Sequence, residues 1–505
     1  MTSGGRIDDD FLGLPRRALA DAALSAATEA GASHADLRIH RILTETIALR
    51  DGRLETSAVN REIGLAVRVI VDGTWGFASH AELTAEVAAD TARRAVQVAR
   101  TLRALNAETV RLADEPVYRD AQWVSSYEID PFGIAAADKI AVLQEYSERL
   151  TSSDGVDHTT AAFYGVKEQT FYADVYGSSI TQQRVRVAPM LDAIAVDTAV
   201  GSFDSMRTLA PPTARGWEAV VDDNVWDWPA ELSEIPSLLS EKVKAPTVKP
   251  GPTDLVIDPS NLWLTIHESI GHATEYDRAI GYESAYAGTS FATPDLLGTL
   301  QYGSPVMNVT ADRTVDFGLA TIGYDDEGVA SQNWDLVREG VFVGYQLDRV
   351  FAPRLGEKRS NGCSYADSAH HVPIQRMANV SLQPGQQDLS TEDLIARVEN
   401  GLYIVGDRSW SIDMQRYNFQ FTGQRFFSIR DGELAGQVRD VAYQATTTEF
   451  WGSMEAVGGE STWRLGGAIN CGKAQPGQVA AVSHGCPSAL FRGVRVLNTV
   501  TEAKH

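Results

Sequence analysis

Cysteine is scarce: Cys363, Cys471 and Cys486 are the only three in 505 residues, and all lie in the last third. Three thiols cannot build a disulfide framework. The fold must therefore rest on a core, and a special cysteine here reads as a metal ligand or nucleophile in a reducing compartment. Long apolar runs are also missing. With no stretch of about 18 uncharged apolar residues, a transmembrane helix is not expected. Residues 1–12 carry Asp8, Asp9 and Asp10 and lack an apolar core, so no secretory signal is expected there. Basic side chains are outnumbered 44 to 67, for a net charge of −23 and a pI near 4.8. Lys and Arg run no longer than pairs such as Arg16–Arg17 and Arg93–Arg94. Such a charge repels nucleic acid and anionic lipid, so neither nucleic acid nor membrane is expected as a partner. It suits a soluble, cytoplasmic protein. Internal repeats and low-complexity segments are absent as well.

What is present is ordinary globular composition, 44% hydrophobic and 22% charged. The length suggests two domains. Residues 15–30 are Ala-rich with a helical period, stopped by Gly31. The period then changes to two over 35–42, and Asp51-Gly52 is a hairpin signal. Residues 64–71 form another strand pattern, closed by Asp72-Gly73. Helical patterns follow over 81–105 and 132–150. The first of these has acidic first turns and basic last turns, matching the helix dipole. Alternating strands return over 157–200, with a turn at 176–179. The tryptophans of Val225-Trp-Asp-Trp-Pro229 read as packing rather than as a binding platform.

Residues 244–253 hold three prolines in seven positions, which reads as a linker outside any helix or central strand. The chain is accordingly expected as α+β. Residues 1–245 would form an N-terminal α/β domain with long helices on an antiparallel sheet. Residues 246–505 would form a C-terminal β-rich sandwich or barrel. In that second part the strand candidates are 314–317, 341–348, 377–382, 401–405 and 418–429, the last followed by Asp431-Gly432. One helix, over 260–276, stands before them.

That helix carries the most informative residues, His267-Glu268-Ser-Ile-Gly271-His272-Ala-Thr-Glu275-Tyr-Asp277. The familiar zinc-peptidase spacing places two histidines four apart on one helix face. Here they are five apart, rotated by about 140° on an ideal helix. A single π-type turn would bring them onto one face, and Gly271 is where the backbone would accommodate it most easily. If a divalent metal sits there, Glu268 has the position of a general base, taking a proton from activated water and passing it to the leaving amine. A catalytic zinc needs a third protein ligand. Glu275, Asp277 and a distant cysteine or histidine are all open on spacing alone.

Cys363 and Cys486 read as small buried hydrophobes. Cys471, in Asn470-Cys-Gly-Lys-Ala-Gln-Pro-Gly-Gln478, reads as part of an irregular loop in which Lys473 favours the thiolate. His370 and His371 are adjacent and so point apart, which reads as surface or packing. His484 is a weaker ligand candidate.

Four blocks in this order resemble the TldD/PmbA family, and within it the TldD-type metalloprotease subunit. They are the His-Glu-x-x-x-His helix with its acidic residues, Asp325-Asp326-Glu327-Gly328, Asn361-Gly362 through Ser364-Tyr365-Ala366 to Arg376-Met377-x-Asn379, and Cys471-Gly472-Lys473 with Gly477-Gln478. The resemblance implies a zinc-dependent peptidase in which His267, His272 and Cys471 bind Zn2+ and Glu268 is the catalytic base. It also implies a dimer, with a PmbA (TldE)-type paralogue or with itself, that cleaves unfolded or extended peptides in a closed chamber. A deformylase-like amidase can share a His₂Cys set, but such enzymes are small. A non-catalytic modulator or binding subunit would be expected to lack one of His267, Glu268 or His272. A gyrase-modulating role finds no support in the acidic composition. Two segments depart from the family pattern, 406–413 in place of a Gly-rich stretch and the insertion-like 367–371. Both are expected to bear on the substrate channel.

Overall fold

The computed structural model describes residues 5–198 and 201–502. Its N-terminal sheet grows from two long hairpins. Strands His34–Arg50 and Arg53–Val71 meet at Asp51-Gly52, with φ of 48° and 70°. Asp72-Gly73, at 48° and 72°, turns the chain into Thr74–His80. Both are left-handed pairs that match the twist of the strands they join. His158–Asp174 pairs with His34–Arg50, and Ser179–Asp197 with His158–Asp174. Ala121–Val124 and Ser202–Arg207 complete seven strands. Residues 199 and 200, the end of the strand expectation, lie outside the described residues.

Strand parity divides this sheet into two faces. Odd residues Leu37, Ile39, Ile47 and Leu49 are fully buried under helices. Arg16–Glu29 and Ala85–Leu102 cover one end, Ala136–Thr151 and Trp228–Lys244 the other. Trp228–Lys244 was not among the expected helices, and it holds Pro236 within it. Asp227 caps it, and Trp228 packs fully buried against Tyr146 while donating Nε1–H to the Ala219 carbonyl at 3.1 Å. The even face is polar, with His34, Asp36, Arg38 and His40 all buried. It meets the Asp325-Asp326-Glu327 turn, where Arg38 donates to Asp326 at 2.5 Å and Arg68 to Glu327 at 3.0 Å.

The second half is built on a closed barrel of five strands. Gly251–Ile257 lies between Asn400–Ile412 (parallel) and Ala489–Asn498 (antiparallel). The circuit then passes through Val441–Thr446 and Asn418–Arg430 back to Asn400–Ile412. The sequence left sandwich and barrel open; closure of the ring decides for a barrel. The chain as a whole is α+β, as expected. Pro252 lies inside a strand after all, opposite Arg495. Pairing with the parallel strand begins only at Asp254, so its missing N–H leaves no ladder bond unmade.

Two strand expectations move. Residues 314–317 are not a strand, because Asp312 accepts from the N–H and hydroxyl of Thr314 in a tight turn and Phe317 has φ of 60°. The strand there is Val309–Asp312. Residues 341–348 form a strand only at Val341–Phe342. Beyond it Gln346 leaves the sheet to pair with the motif segment, its N–H reaching the Thr274 carbonyl at 2.9 Å. Among the described residues no helix is long and apolar enough to cross a membrane.

Burial and the neighbouring Glu327 push the Asp325 carboxyl up from its ordinary 3.8 to about 7. A carboxyl raised on folding stabilises the native state below its unfolded value and loses that contribution as pH rises through the folded value. The stability of wild type relative to Asp325→Asn should therefore fall between about pH 4 and about pH 7. Urea unfolding at several pH values checks this, and a pH-independent difference would refute it.

Candidate metal centre

Strand Gly251–Ile257 ends at Asp258, whose carboxylate accepts from Ser260 N at 2.9 Å and starts the helix Pro259–Ile266. The helix then widens to a π-turn over His267–Gly271 and tightens to a 3₁₀ turn over His272–Thr274. This is the turn that a five-residue spacing requires. The carbonyls it disturbs are taken up by side chains. Tyr302 donates to Ser269 O, Gln346 to Gly271 O at 2.8 Å, and Thr274 to Ile270 O at 2.9 Å. Gly271 has an ordinary helical φ of −52°. It is needed for space rather than for backbone freedom, since a Cβ there would lie 2.5 Å from Met377 Sδ.

The two imidazoles lie 4.6 Å apart, centroid to centroid. Cys471 approaches them from strand Arg464–Lys473, at a bulge opposite Gln478–Cys486. One donor atom from each of His267, His272 and Cys471 lies within 4.8 Å of the others, and all three residues are buried. The cysteine is thus on an edge strand and not in the loop its glycines suggested.

Hydrogen bonding fixes which histidine nitrogens are available. His484 Nδ1 lies 2.8 Å from the Val380 carbonyl, which can only accept, so that nitrogen carries the proton. Burial holds His484 well below its ordinary pKa, hence neutral, with a lone pair on Nε2. That lone pair lies 2.7 Å from His267 Nδ1, which must therefore donate and leave its own lone pair on Nε2. His272 Nδ1 donates to Glu275 at 2.8 Å, and its Nε2 lies 3.5 Å from Cys471 Sγ. Burial lowers both His267 and His272, which favours neutral imidazole. Burial pushes the Cys471 thiol up, but His272 and the Arg376 guanidinium outweigh it and hold the thiol below its ordinary value. Two neutral imidazole lone pairs and an easily ionised thiol suit a borderline-soft divalent cation such as zinc.

Glu275 and Asp277 do not join the three donors. Lys473, wholly buried, donates to Glu275 at 3.1 Å and to Asp277 at 2.8 Å. Burial alone would push Glu275 up; Lys473, His272 and Arg278 hold it well below the usual carboxylate range. Asp277, buried beside that charge, is pushed up instead. Lys473 is thus committed to carboxylates, and what holds Cys471 low is its contact with His272 and the nearby Arg376 guanidinium. Cys363 and Cys486 are fully buried in the core, away from the cluster. His370 meets Ser79, and His371 meets Asp367 at 2.6 Å.

Glu268 and the cluster open onto a cavity of about 1300 Å³ between the two halves of the chain. Its walls include Leu209 and Trp226 from the N-terminal half and Asp407, Trp410 and Trp463 from the other. Segment 406–413 thus bears on the cavity as expected, and Trp226 lines it while Trp228 is core. Segment 367–371 does not. It packs on the N-terminal sheet, where Ser368 donates to Glu62 and Ala369 abuts Gly64.

Residues 250–498 match the family description "PmbA/TldA metallopeptidase C-terminal domain", and residues 35–99 match "PmbA/TldA metallopeptidase domain 1". A metalloprotease of Methanothermobacter thermautotrophicus is 30% identical over 493 residues, 98% of this chain and 100% of the relative. The chain belongs to the PmbA/TldD family. Within this metallopeptidase family, a zinc metalloprotease TldD homologue of Saccharolobus solfataricus is 22% identical, covering 93% of this chain and 98% of its own. The PmbA/TldD fold recurs in the crystal structure of TldE from Thermococcus kodakarensis, with a TM-score of 0.72 at 16% identity over 95% of this chain and 99% of that one. It recurs also in a Thermotoga maritima protein described as a candidate modulator of a DNA gyrase. There the TM-score is 0.73 at 17% identity, over 95% of this chain and 100% of that one. At such identities these two likenesses establish the fold alone.

Sequence reasoning under-ranked His484, quoted Arg376 only within a block, and missed Arg416, which donates to Glu268 Oε2 at 2.7 Å. Nothing in local spacing signals these contacts, although Arg416 lies just beyond the departing 406–413 segment. Removing one partner of a buried charge network costs about 3–5 kcal/mol. Lys473→Met should therefore destabilise the chain by about that amount, read as a lower denaturant midpoint; an unchanged midpoint would contradict the role of Lys473.

Proposed function

We propose that this chain is a zinc-dependent metallopeptidase acting on unfolded or extended peptides, with His267, His272 and Cys471 as metal ligands and Glu268 as general base. One observation carries the reading: three donors within 4.8 Å of one another, with Glu268 beside them on the wall of a large cavity. A bound zinc ion supplies Lewis acidity, polarising a carbonyl oxygen and making water a usable nucleophile at neutral pH. The chain's own residues do the rest. His484 and Glu275 fix the tautomers and ring orientations of His267 and His272. Glu268 accepts the proton that the attacking water loses and returns it to the departing amine nitrogen.

The cysteine strand supports this substrate class. Among the described residues Arg464–Lys473 pairs as a strand with Gln478–Cys486 alone. Residues 464–472 line the cavity. An extended peptide can join that free edge through backbone bonds, which tolerates varied side chains. A folded domain does not offer such a backbone. In this reading residues 1–245 form a chamber and dimerisation domain and 246–505 the catalytic domain. Support comes from the strand pairing, since no named strand is shared between the N-terminal sheet and the barrel. The partner is a TldE-type paralogue or a second copy, and three buried free thiols suit the cytoplasm.

Metal analysis and cleavage of a quenched fluorogenic peptide test the proposal together. Glu268→Ala should keep stoichiometric zinc and lose at least about 100-fold in kcat. Cys471→Ala should lose the zinc. Full activity in the first variant, or retained metal in the second, would remove the assigned roles. His484→Ala should weaken zinc binding about 10- to 100-fold, measured by chelator competition; unaltered affinity would leave His484 a packing residue.

A further inference from the structure

Glu268 does not stand free on its π-turn. Arg416, 148 residues away in sequence, donates Nη1–H to its Oε2 at 2.7 Å. The pair is nearly dry, with side chains 13% and 7% exposed. The same guanidinium donates Nη2–H to the Ala287 carbonyl at 3.1 Å. Among the described residues no donor reaches Oε1, and Glu268 lines the cavity. One oxygen of the carboxylate is thus committed and the other is left for chemistry.

The backbone that delivers Arg416 is held unusually well for a hairpin tip. Strands Asn400–Ile412 and Asn418–Arg430 run on beyond the barrel and turn over 413–417. The Asp413 carboxylate accepts from the N–H groups of Gln415, Tyr417 and Asn418 at 2.8–3.0 Å. Arg416 itself has φ of 63°, a left-handed conformation that costs a side-chain-bearing residue free energy. Thr447 fixes its carbonyl at 2.8 Å. A strap then ties the tip down, Thr289 N–H donating to Met414 O at 2.7 Å and Phe291 N–H to Gln415 O at 2.9 Å. Gly288, at φ 87°, lies so close that a Cβ would meet Met414 O at 2.0 Å.

A stabilising ion pair does not explain this. Desolvating two charges roughly cancels their attraction, and here the Arg416 Nε–H is buried with no acceptor. We propose that Arg416 is the positioning residue of the general base, clamping Glu268 Oε2 so that Oε1 is presented to the cavity. The inference rests on the peptidase reading, in which Glu268 moves the proton. Without the clamp the carboxylate is free to rotate among several χ wells, few of which aim an oxygen at the reacting atoms. Substrate binding does not depend on that orientation, so the loss belongs in kcat.

The experiment uses zinc-loaded full-length protein and a quenched fluorogenic peptide. Arg416→Ala and the more nearly isosteric Arg416→Gln should each lower kcat about 10- to 100-fold. KM and bound zinc should stay at wild-type values. Arg416→Lys should keep part of the rate. Added guanidinium ion should restore part of it to Arg416→Ala and none to Glu268→Gln. The double variant Glu268→Gln/Arg416→Ala should be no slower than Glu268→Gln alone, because a residue acting only through Glu268 has nothing left to position. Full kcat in Arg416→Ala, a rise in KM alone, or additive losses in the double variant would each overturn the clamp. If instead Glu268→Gln keeps wild-type activity, the peptidase reading itself fails and takes the clamp with it.

Discussion

The site hangs on one buried ammonium. Lys473 has no exposure to water and is held between Glu275 and Asp277, with the Gln375 carbonyl as a third acceptor at 2.8 Å. It stands two residues after Cys471, on the same face of the same strand. Glu275 stands three residues after His272 and orients its ring. One ion network therefore joins the strand that brings the thiol to the segment that brings the imidazole. Three charged groups out of water are tolerable only as a set, since any one alone would face the full desolvation cost. The same cost makes the arrangement rigid, because no partner can swing away without exposing another.

A second clamp works from the opposite side. Arg376 donates to the carbonyls of Cys471 at 2.5 Å and Gln478 at 3.3 Å, bridging the two strands of the cysteine hairpin. Met377 packs against Gly271 of the π-turn. Asn379 accepts from Ala320 N and Ser483 N at 2.9 and 3.2 Å. The short Arg-Met-x-Asn run thus touches the thiol strand, the histidine turn and the strand bearing His484 in four residues. The Asp325-Asp326-Glu327 turn plays the matching part at the N-terminal sheet, accepting from Ser364 N, Ala366 N and Arg68. These blocks form the frame that holds the donors.

What could be read from sequence was what depends on neighbours along the chain. The three Asp-Gly turns stand where expected, since left-handed backbone at both residues is a local demand that few side chains meet. The five-residue histidine spacing implied a π-turn for the same reason, because helical rotation per residue is fixed. The barrel was legible only as an alternative to a sandwich, since closure depends on strands 251–257 and 400–412 meeting in parallel across more than a hundred residues. His484 and Arg416 were illegible as site residues. They reach His267 and Glu268 from 217 and 148 residues away, with no periodicity to announce them. Trp228–Lys244 was not anticipated; it holds Pro236 in its interior, a breaker that burial of Leu232, Ile235 and Leu239 overrides.

The departure at 406–413 is therefore more than a change of channel lining. Two strands that extend past the barrel carry Asp407 and Trp410 into the cavity wall and, at their tip, Arg416 onto Glu268. Asp407 also accepts from Trp263 Nε1 at 3.2 Å, on the helix that leads into the histidines, and from Arg207 of the N-terminal sheet at 2.8 Å. The hairpin thus touches the motif helix, the opposite wall and Glu268 at once. A Gly-rich segment would have neither the side chains nor the stiffness for those contacts. Replacing it alters cavity shape and the surroundings of Glu268 together. One structural element in this chain thus contributes to the cavity wall and also contacts Glu268.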